Sequence, residues 1–384
     1  LPFYPTFEHW LWLIPAFLLG SCIGSFLNVV IYRVPLGLSV NKPNRSFCPK
    51  CKSPIPFRRN IPLFSWLSLR GKCGDCKAPI PARYFVVELV TALLFTAAWW
   101  VFASPMVGGI SAIPFLWLLI ALLVSITWID AEHMIIPVGL TWIGMAAGLV
   151  ACALWPELSA LGDNGAGTWV DGLKRSAIGL VVGYAGLRVV VELGKLAFGK
   201  LDKKFPSPVA WKIQEGPDDD SPMEFLIEEE TIQWWDIFSR KTDRLIIDAE
   251  TIILDGESLP GGTLTVRELD FTLPDGAVRV FLDIRSLEGT GTRAVIPREA
   301  MGMGDPPLLG MIGAFFGWPG VFFSLFSASV YATILALITR IGFGKPLPFG
   351  PFLAMGAVTW MFGGWKLWQW YLTLLGPMDI ALGR

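Results

Sequence analysis

Residues 115–130 read FLWLLIALLVSITWID, fifteen uncharged residues closed by an aspartate, and they decide what kind of fold to expect. Crossing the hydrocarbon core of a bilayer takes about 20 mostly apolar residues in a helix, and this run with its flanks supplies them. Seven other stretches share its character, so the expected spans lie at 10–32, 84–103, 113–130, 135–155, 176–198, 306–319, 320–342 and 347–375. The sixth is short, and Trp318-Pro319-Gly320 divides it from the seventh. Composition agrees, because 384 residues that are 53% hydrophobic and 16% charged carry too few charges for a soluble protein of that size. Eighteen tryptophans and 26 phenylalanines suit membrane interfaces and packed helices. The expected fold is an all-α polytopic membrane protein of about eight transmembrane helices, with lipid as its main solvent. No cleavable signal peptide is expected, since residues 11–31 run on without a small-residue cleavage site.

Two polar stretches interrupt this pattern. The loop from 33 to 83 holds eleven basic residues against the single acid Asp75, and basic residues in short loops collect on the cytoplasmic side. With eight spans, parity puts 199–304 inside as well and both termini outside. The segment 201–300 has the opposite balance, 21 acids against 11 bases. Its alternating runs at 244–254, 263–273 and 278–284, divided by Asp255-Gly256, Gly261-Gly262 and Asp275-Gly276, predict short strands and turns. The acidic run 216–221 predicts a linker. Five regions are expected: an N-terminal transmembrane helix at 1–35, a cytoplasmic tetra-cysteine loop at 36–83, helices two to five at 84–200, a β-rich cytoplasmic insert at 201–300 and helices six to eight at 301–384. No internal repeat is expected beyond the helices themselves.

Ionisable residues at the boundary of an apolar helix are functional candidates. Asp130 closes the third span and Asp305 opens the sixth, so the topology sets both near the cytoplasmic face at one depth. Two adjacent carboxylates share a proton. One can then accept a proton from water while the other donates a hydrogen bond to a peptide carbonyl, which is aspartic-protease chemistry. Gly302 and Gly304 remove side chains where a substrate backbone would approach, and are candidate substrate-binding positions. Plainer readings stay open: Asp305 before Pro306 suits a helix N-cap, and Asp130 suits an interfacial acid ending a span. Glu132 and His133 read as solvated loop residues.

Cys48-Pro49-Lys50-Cys51 and Cys73-Gly74-Asp75-Cys76 form C-x2-C-x21-C-x2-C, close to the spacing of two knuckles around one tetrahedral zinc ion. Two disulfides are the alternative, which a reducing cytoplasm disfavours. Four thiolates leave no open coordination position, so the Zn2+ would be structural and would supply much of the loop's folding energy. Cys22 and Cys152 read as packing residues, and 162–167 as an external glycine-rich loop.

Ile129-Asp130 followed by Ile136-Pro137, Gly302-Met303-Gly304-Asp305 followed by Leu308-Leu309, Gly313-Ala314 and Gly317-Trp318, the stretch from Gly24 to Arg33, and the cysteine loop form an ordered set. Together they resemble the type IV prepilin peptidase family, over roughly residues 10–200 and 300–342. The resemblance implies an integral-membrane aspartyl endopeptidase with Asp130 and Asp305 as its catalytic pair. It implies cleavage of type IV prepilins or pseudopilins, the substrates of pilus and type II secretion systems, after the Gly that ends a short basic leader. The bond would be cut at the cytoplasmic face of a bacterial inner membrane. Members with a cysteine loop often also N-methylate the new amino terminus with S-adenosylmethionine, and no nucleotide-binding fingerprint in this chain adds to that implication. Prepilins and membrane lipid are the implied partners, and nucleic acid is not among them. One departure is plain: the family usually has an apolar residue and then Lys after the second Asp, where this chain has Pro306 and Pro307. Two competing functions are a transporter or proton-relay protein using its intramembrane acids, and an inactive scaffold that binds prepilins through the cysteine loop. The net +10 of the loop (eleven minus one) and −10 of the insert (11 minus 21) suggest that the insert docks on the loop or draws the basic leader inward.

Overall fold

Five helices among the described residues are long and apolar enough to cross a membrane: Leu13–Arg33, Arg83–Phe102, Ile110–His133, Trp169–Gly194 and Asp305–Thr339. The computed structural model describes residues 10–42, 47–48, 50–103, 110–161, 167–215, 223–228, 230–238, 242–284, 286–297, 302–339 and 347–374. The acidic run 216–221 and most of 162–167 lie outside them. The α-helices of ten residues or more are α1 (Leu13–Arg33), α2 (Arg83–Phe102), α3 (Ile113–His133), α4 (Val138–Leu154), α5 (Trp169–Phe198), α6 (Asp305–Thr339), α7 (Gly350–Thr359) and α8 (Trp365–Leu374).

The expectation of an all-α protein with about eight spans fails on two counts. First, an eight-stranded antiparallel sheet makes the chain a mixed helix-and-sheet protein. Second, three expected spans are not separate long helices. The α4 helix has 17 residues, about 26 Å at 1.5 Å per residue, which falls short of a hydrocarbon core about 30 Å thick. The stretch expected to form the last span is broken between α7 and α8 by a π-helical turn, Trp360–Gly364, in which Gly363 takes a φ of 133°. The sixth expected span is too short to cross: α6 is two helices meeting at a kink, and its only non-helical residue, Gly317, with φ 65° and ψ −175°, ends the first of them one position before the expected Trp318-Pro319-Gly320 boundary. Glycine is needed there, because a side chain strains that conformation. A Cβ added to Gly313 would lie 2.8 Å from Val321 Cγ2, although eight residues of straight helix would separate the two by about 12 Å. The chain therefore turns sharply at Gly317.

The chain divides into two bodies, one of residues 1–188 and 302–384, the other of residues 189–301. In the first, α1 packs on α2, α3 on α1, α2 and α7, and α6 on α4 and α7. Lipid offers no hydrophobic drive for helices to associate, so close backbone approach takes its place. Glycines four residues apart supply it: Gly20 and Gly24 meet the backbone of α2, and Gly179 and Gly183 on α5 meet that of α6 at 309–317. Gly179 and Gly313 face each other, and a Cβ on either would collide with the other's carbonyl oxygen.

In the second body the strands are β1 (Lys200–Gln214), β2 (Glu224–Ile227), β3 (Glu230–Gln233), β4 (Leu245–Leu254), β5 (Glu257–Val266), β6 (Asp270–Thr272), β7 (Val278–Val280) and β8 (Leu287–Pro297). Their order is β3-β2-β1-β8-β4-β5-β6-β7. Trp211, Ile213, Phe225, Ile227, Leu245, Ile247 and Phe271 alternate onto one buried face. The β1–β8 register shifts between Lys204 and Val209, where Pro206 and Pro208 have no N–H for the ladder. On the exposed face Arg293 donates to both oxygens of Asp202, at 2.8 and 2.9 Å, and this bond holds the Asp202 carboxyl below its usual range.

The glycine contact between α5 and α6 can be tested by filling it. Gly179→Val is expected to lower the thermal stability of the detergent-solubilised protein by about 1–3 kcal/mol, the usual cost of overpacking. Gly186→Val should leave it unchanged, since nothing lies within 4 Å of a Cβ there.

Candidate active site and cysteine cluster

Asp130 sits in the last turn of α3. The helix ends three residues later at His133, and the left-handed Met134 that follows bonds its N–H to the Asp130 carbonyl at 2.9 Å; Ile136-Pro137 then turns the chain into α4. Asp305 is the first residue of α6, held by its N–H to Gly302 O and by Leu308 N–H to Gly304 O, both at 3.3 Å. The two acids are 5% and 3% exposed.

Ile136 lies between the two turns. A Cβ on Gly304 would be 2.5 Å from Ile136 Cβ, so the missing side chain at 304 makes room for that isoleucine. Gly302 is exposed, and its Cβ position is 3.4 Å from Asp305 Oδ2. A residue that the sequence reading passed over completes the site. The N–H of Gly350, first residue of α7, donates to Asp130 Oδ2 at 3.0 Å. Oδ1 of Asp305 is buried without a hydrogen-bond partner among the described residues. Glu132 and His133 are exposed, and Glu132 pairs with Arg83.

Two residues of the Gly24–Arg33 stretch are fasteners. Asn28 donates to the Gly24 and Tyr84 carbonyls at 3.3 and 3.1 Å, tying α1 to the start of α2. Arg33 grips the Ser39 and Val40 carbonyls at 3.1 and 2.9 Å. Glu88 on α2, also missed, accepts the Leu63 N–H at 2.6 Å and so pins the cysteine loop to the helix.

The structure gathers Cys48, Cys51, Cys73 and Cys76, with all four Sγ atoms within 4.8 Å of one another and Cys48 Sγ 3.8 Å from Cys76 Sγ. Four sulfurs about 2.3 Å from a central ion stand about 3.8 Å apart in a tetrahedron, so the cluster can hold a metal ion. Its two halves share six of nine residues. Residues 48–56 read CPKCKSPIP and residues 73–81 read CGDCKAPIP, a repeat that the sequence reading overlooked. Lys52 and Lys77, at equivalent places, both take positive φ, 58° and 60°. Each closes its knuckle by an N–H to the leading cysteine carbonyl, at 2.8 and 3.1 Å. Hydrogen bonds from Ser53 bring the Cys51 thiol down to about 6, and the N–H groups of Cys76 and Asp75 lower Cys73. Those two shifts favour the thiolate that a metal requires, whereas at Cys76 the lowering effect of the Ala78 backbone is outweighed by burial and by contacts with the other three thiols, which push it up to about 11.

Comparison with known proteins places these features. The Bacterial Peptidase A24 N-terminal domain matches residues 18–102, and the Type IV leader peptidase family matches residues 276–337. A prepilin leader peptidase/N-methyltransferase of Klebsiella pneumoniae is 36% identical over 52% of this chain and 82% of its own length. That of Aeromonas hydrophila is 28% identical over 95% of each chain. That of Myxococcus xanthus is 39% identical over 47% of this chain and 49% of its own length, so the match spans about half of that relative. No solved structure matches the chain.

One metal ion per chain is expected from elemental analysis of protein purified without chelator, and Cys48→Ser with Cys73→Ser should abolish it. Metal content unchanged in that double variant would mean that the ion sits elsewhere.

Proposed function

Because this chain belongs to the type IV leader peptidase family, and so is a prepilin peptidase of the membrane, we propose that Asp130 and Asp305 are the pair that hydrolyses the leader bond of type IV prepilins or pseudopilins. The observation that carries this reading is that two buried carboxylates, 175 positions apart (305 minus 130), are linked through one side chain, Ile136, which packs on Gly304 beside Asp305 and on Gly350 beside Asp130. The bond cut is the one after the Gly that ends the basic leader, at the cytoplasmic face of a bacterial inner membrane.

A shared proton sets the chemistry. One carboxylate takes a proton from water as the water oxygen attacks the carbonyl carbon, while the other gives its proton to the carbonyl oxygen. The resulting gem-diol collapses: its hydroxyl proton returns to the donor carboxylate, the C–N bond breaks, and the amine nitrogen takes the proton drawn from water. Water and one peptide bond are consumed, one acid and one amine are released, and the pair is restored. Gly302, open to solvent beside Asp305, lines the approach of the substrate backbone. Gly304 serves the same approach indirectly, by letting Ile136 close the floor of the site.

Zinc is the ion we assign to the cysteine cluster, because four thiolates at tetrahedral spacing suit it and leave no open position for catalysis. It holds the two knuckles together and takes no part in peptide hydrolysis. S-adenosylmethionine would supply the methyl group for the N-methylation named in the relatives. With the four loop thiols gathered on one centre, none is free to relay a methyl group, and no residue is assigned to that donor.

Asp130→Asn and Asp305→Asn are each expected to lower prepilin cleavage at least about a thousandfold without loss of membrane insertion, because members of one catalytic unit fail singly. Substantial cleavage by either variant would refute the pair. The wild-type kcat/KM should be bell-shaped in pH, since full protonation removes the base and full ionisation removes the acid. A single-limbed profile would count against proton sharing.

A further inference from the structure

Every N–H in the first turn of α7 can be accounted for, as buried backbone donors require. Phe352 and Leu353 both donate to the Phe349 carbonyl at 3.1 Å. Pro351 has no N–H to give. The one donor left, Gly350, gives its N–H to Asp130 Oδ2 at 3.0 Å in a buried contact between residues 220 positions apart.

The missing side chain at 350 matters as much as the N–H. A Cβ there would lie 2.6 Å from Asp130 Oδ2, 3.2 Å from Asp130 Cγ and 3.0 Å from Ile136 Cδ1. Those spaces are already filled, so any larger residue pushes the carboxylate from its place. Ile136 also packs on Gly304, one residue before Asp305. The turn at 350, the carboxylate of Asp130 and the start of α6 are thus wedged around one isoleucine, and a shift at 350 reaches both acids. The positive end of α7 adds a favourable field for a carboxylate.

Resting on the reading of Asp130 and Asp305 as a catalytic pair, we propose that Gly350 is a positioning residue of the reaction: its N–H and bare Cα fix the Asp130 carboxylate at the angle from which it acts with Asp305 on water. Gly350 itself touches no reacting atom. Gly356, two turns along the same helix, is the contrasting case, since a Cβ there would lie 2.6 Å from the Ser324 carbonyl of α6 and far from either acid. It packs helices, whereas Gly350 holds a carboxylate.

The test uses the full chain in detergent with a prepilin substrate and compares Gly350→Ala with Gly356→Ala. Gly350→Ala is expected to lower kcat about 10- to 100-fold, the effect of displacing a reacting group by about 1 Å. KM should stay within about twofold, because the group acts on the bond and not on substrate binding. The same substitution should lower Tm by about 4 °C or more in the wild type. In an Asp130→Ala background that loss should largely vanish, since the group struck by the new methyl is gone and the two changes are coupled. Gly356→Ala should lower Tm equally in both backgrounds. An unchanged kcat, or a rise in KM alone, overturns the positioning role, and a Tm loss that persists in full with Asp130→Ala overturns the contact. Should Gly350→Ala fail to fold, recovery of folded protein by adding Asp130→Ala supports the contact, and failure of both overturns it. If Asp130→Asn still cleaves, the catalytic-pair reading fails and the positioning role falls with it, while coupling in Tm shows that the contact itself stands.

Discussion

An acid inside a membrane span costs about 3 kcal/mol at the centre, and a second acid beside it adds like-charge repulsion. The geometry around Asp130 and Asp305 is arranged against that cost. Both lie at helix ends, where the chain turns and a segment from elsewhere can reach the side chain. Asp130 ends its helix where Met134 turns left-handed, and Asp305 opens a helix after two glycines. A third segment, 220 residues away from Asp130, folds back to bring one more N–H to the site. Three stretches remote in sequence are held at one place, and the helices carrying them must meet closely enough to keep them there.

In lipid that closeness comes from backbone contact and hydrogen bonding between helices. The peptide at Ala314 is a meeting point. Its carbonyl accepts Ser176 Oγ from α5 at 2.5 Å and Cys152 Sγ from α4 at 3.3 Å. One turn on, Gly317 lets the chain bend, so that the part of α6 bearing Asp305 lies against α4 and α5 while the remainder meets α7. The bend thus serves the site: it lets one element contact both the helix that follows Asp130 and the helix that begins with Gly350.

The two acids, the four cysteines and the membrane class were all legible in the sequence, because charge inside an apolar run and paired thiols at fixed spacing are local signals. The count of spans was not. Apolar runs reveal how much chain can sit in lipid, but the 17-residue length of α4 and the π-helical turn after Thr359 change how that chain is divided, and the φ of Gly363 leaves no mark on hydropathy. The alternation that predicted strands between 244 and 284 had a physical basis, yet it did not prevent an all-α class from being expected, since the apolar helices dominate the composition. The knuckle repeat was present as CKSPIP and CKAPIP, and close attention to the residues following each pair would have found it. Gly350 was out of reach. A glycine before a proline reads as an ordinary helix start, and only the fold shows that the space its side chain would fill belongs to Asp130.

The two carboxylates are not equivalent, and the difference originates in sequence. Asp305 opens a helix whose next two residues are Pro306 and Pro307, so the first turn above it holds only the N–H groups of Asp305 and Leu308, and both are spent on the carbonyls of Gly302 and Gly304. Its own helix therefore has no donor left for its side chain. Asp130 stands at the other end of a helix, where carbonyls and not N–H groups are free, and its donor has to come from elsewhere. The first turn of α7 spends its Phe352 and Leu353 N–H groups internally and loses another to Pro351, which leaves Gly350 alone to face outward. Proline placement in two helices thus settles which acid receives a backbone hydrogen bond, and on the proposal that the two share one proton, such an inequality is what would let one member act as base while the other acts as acid.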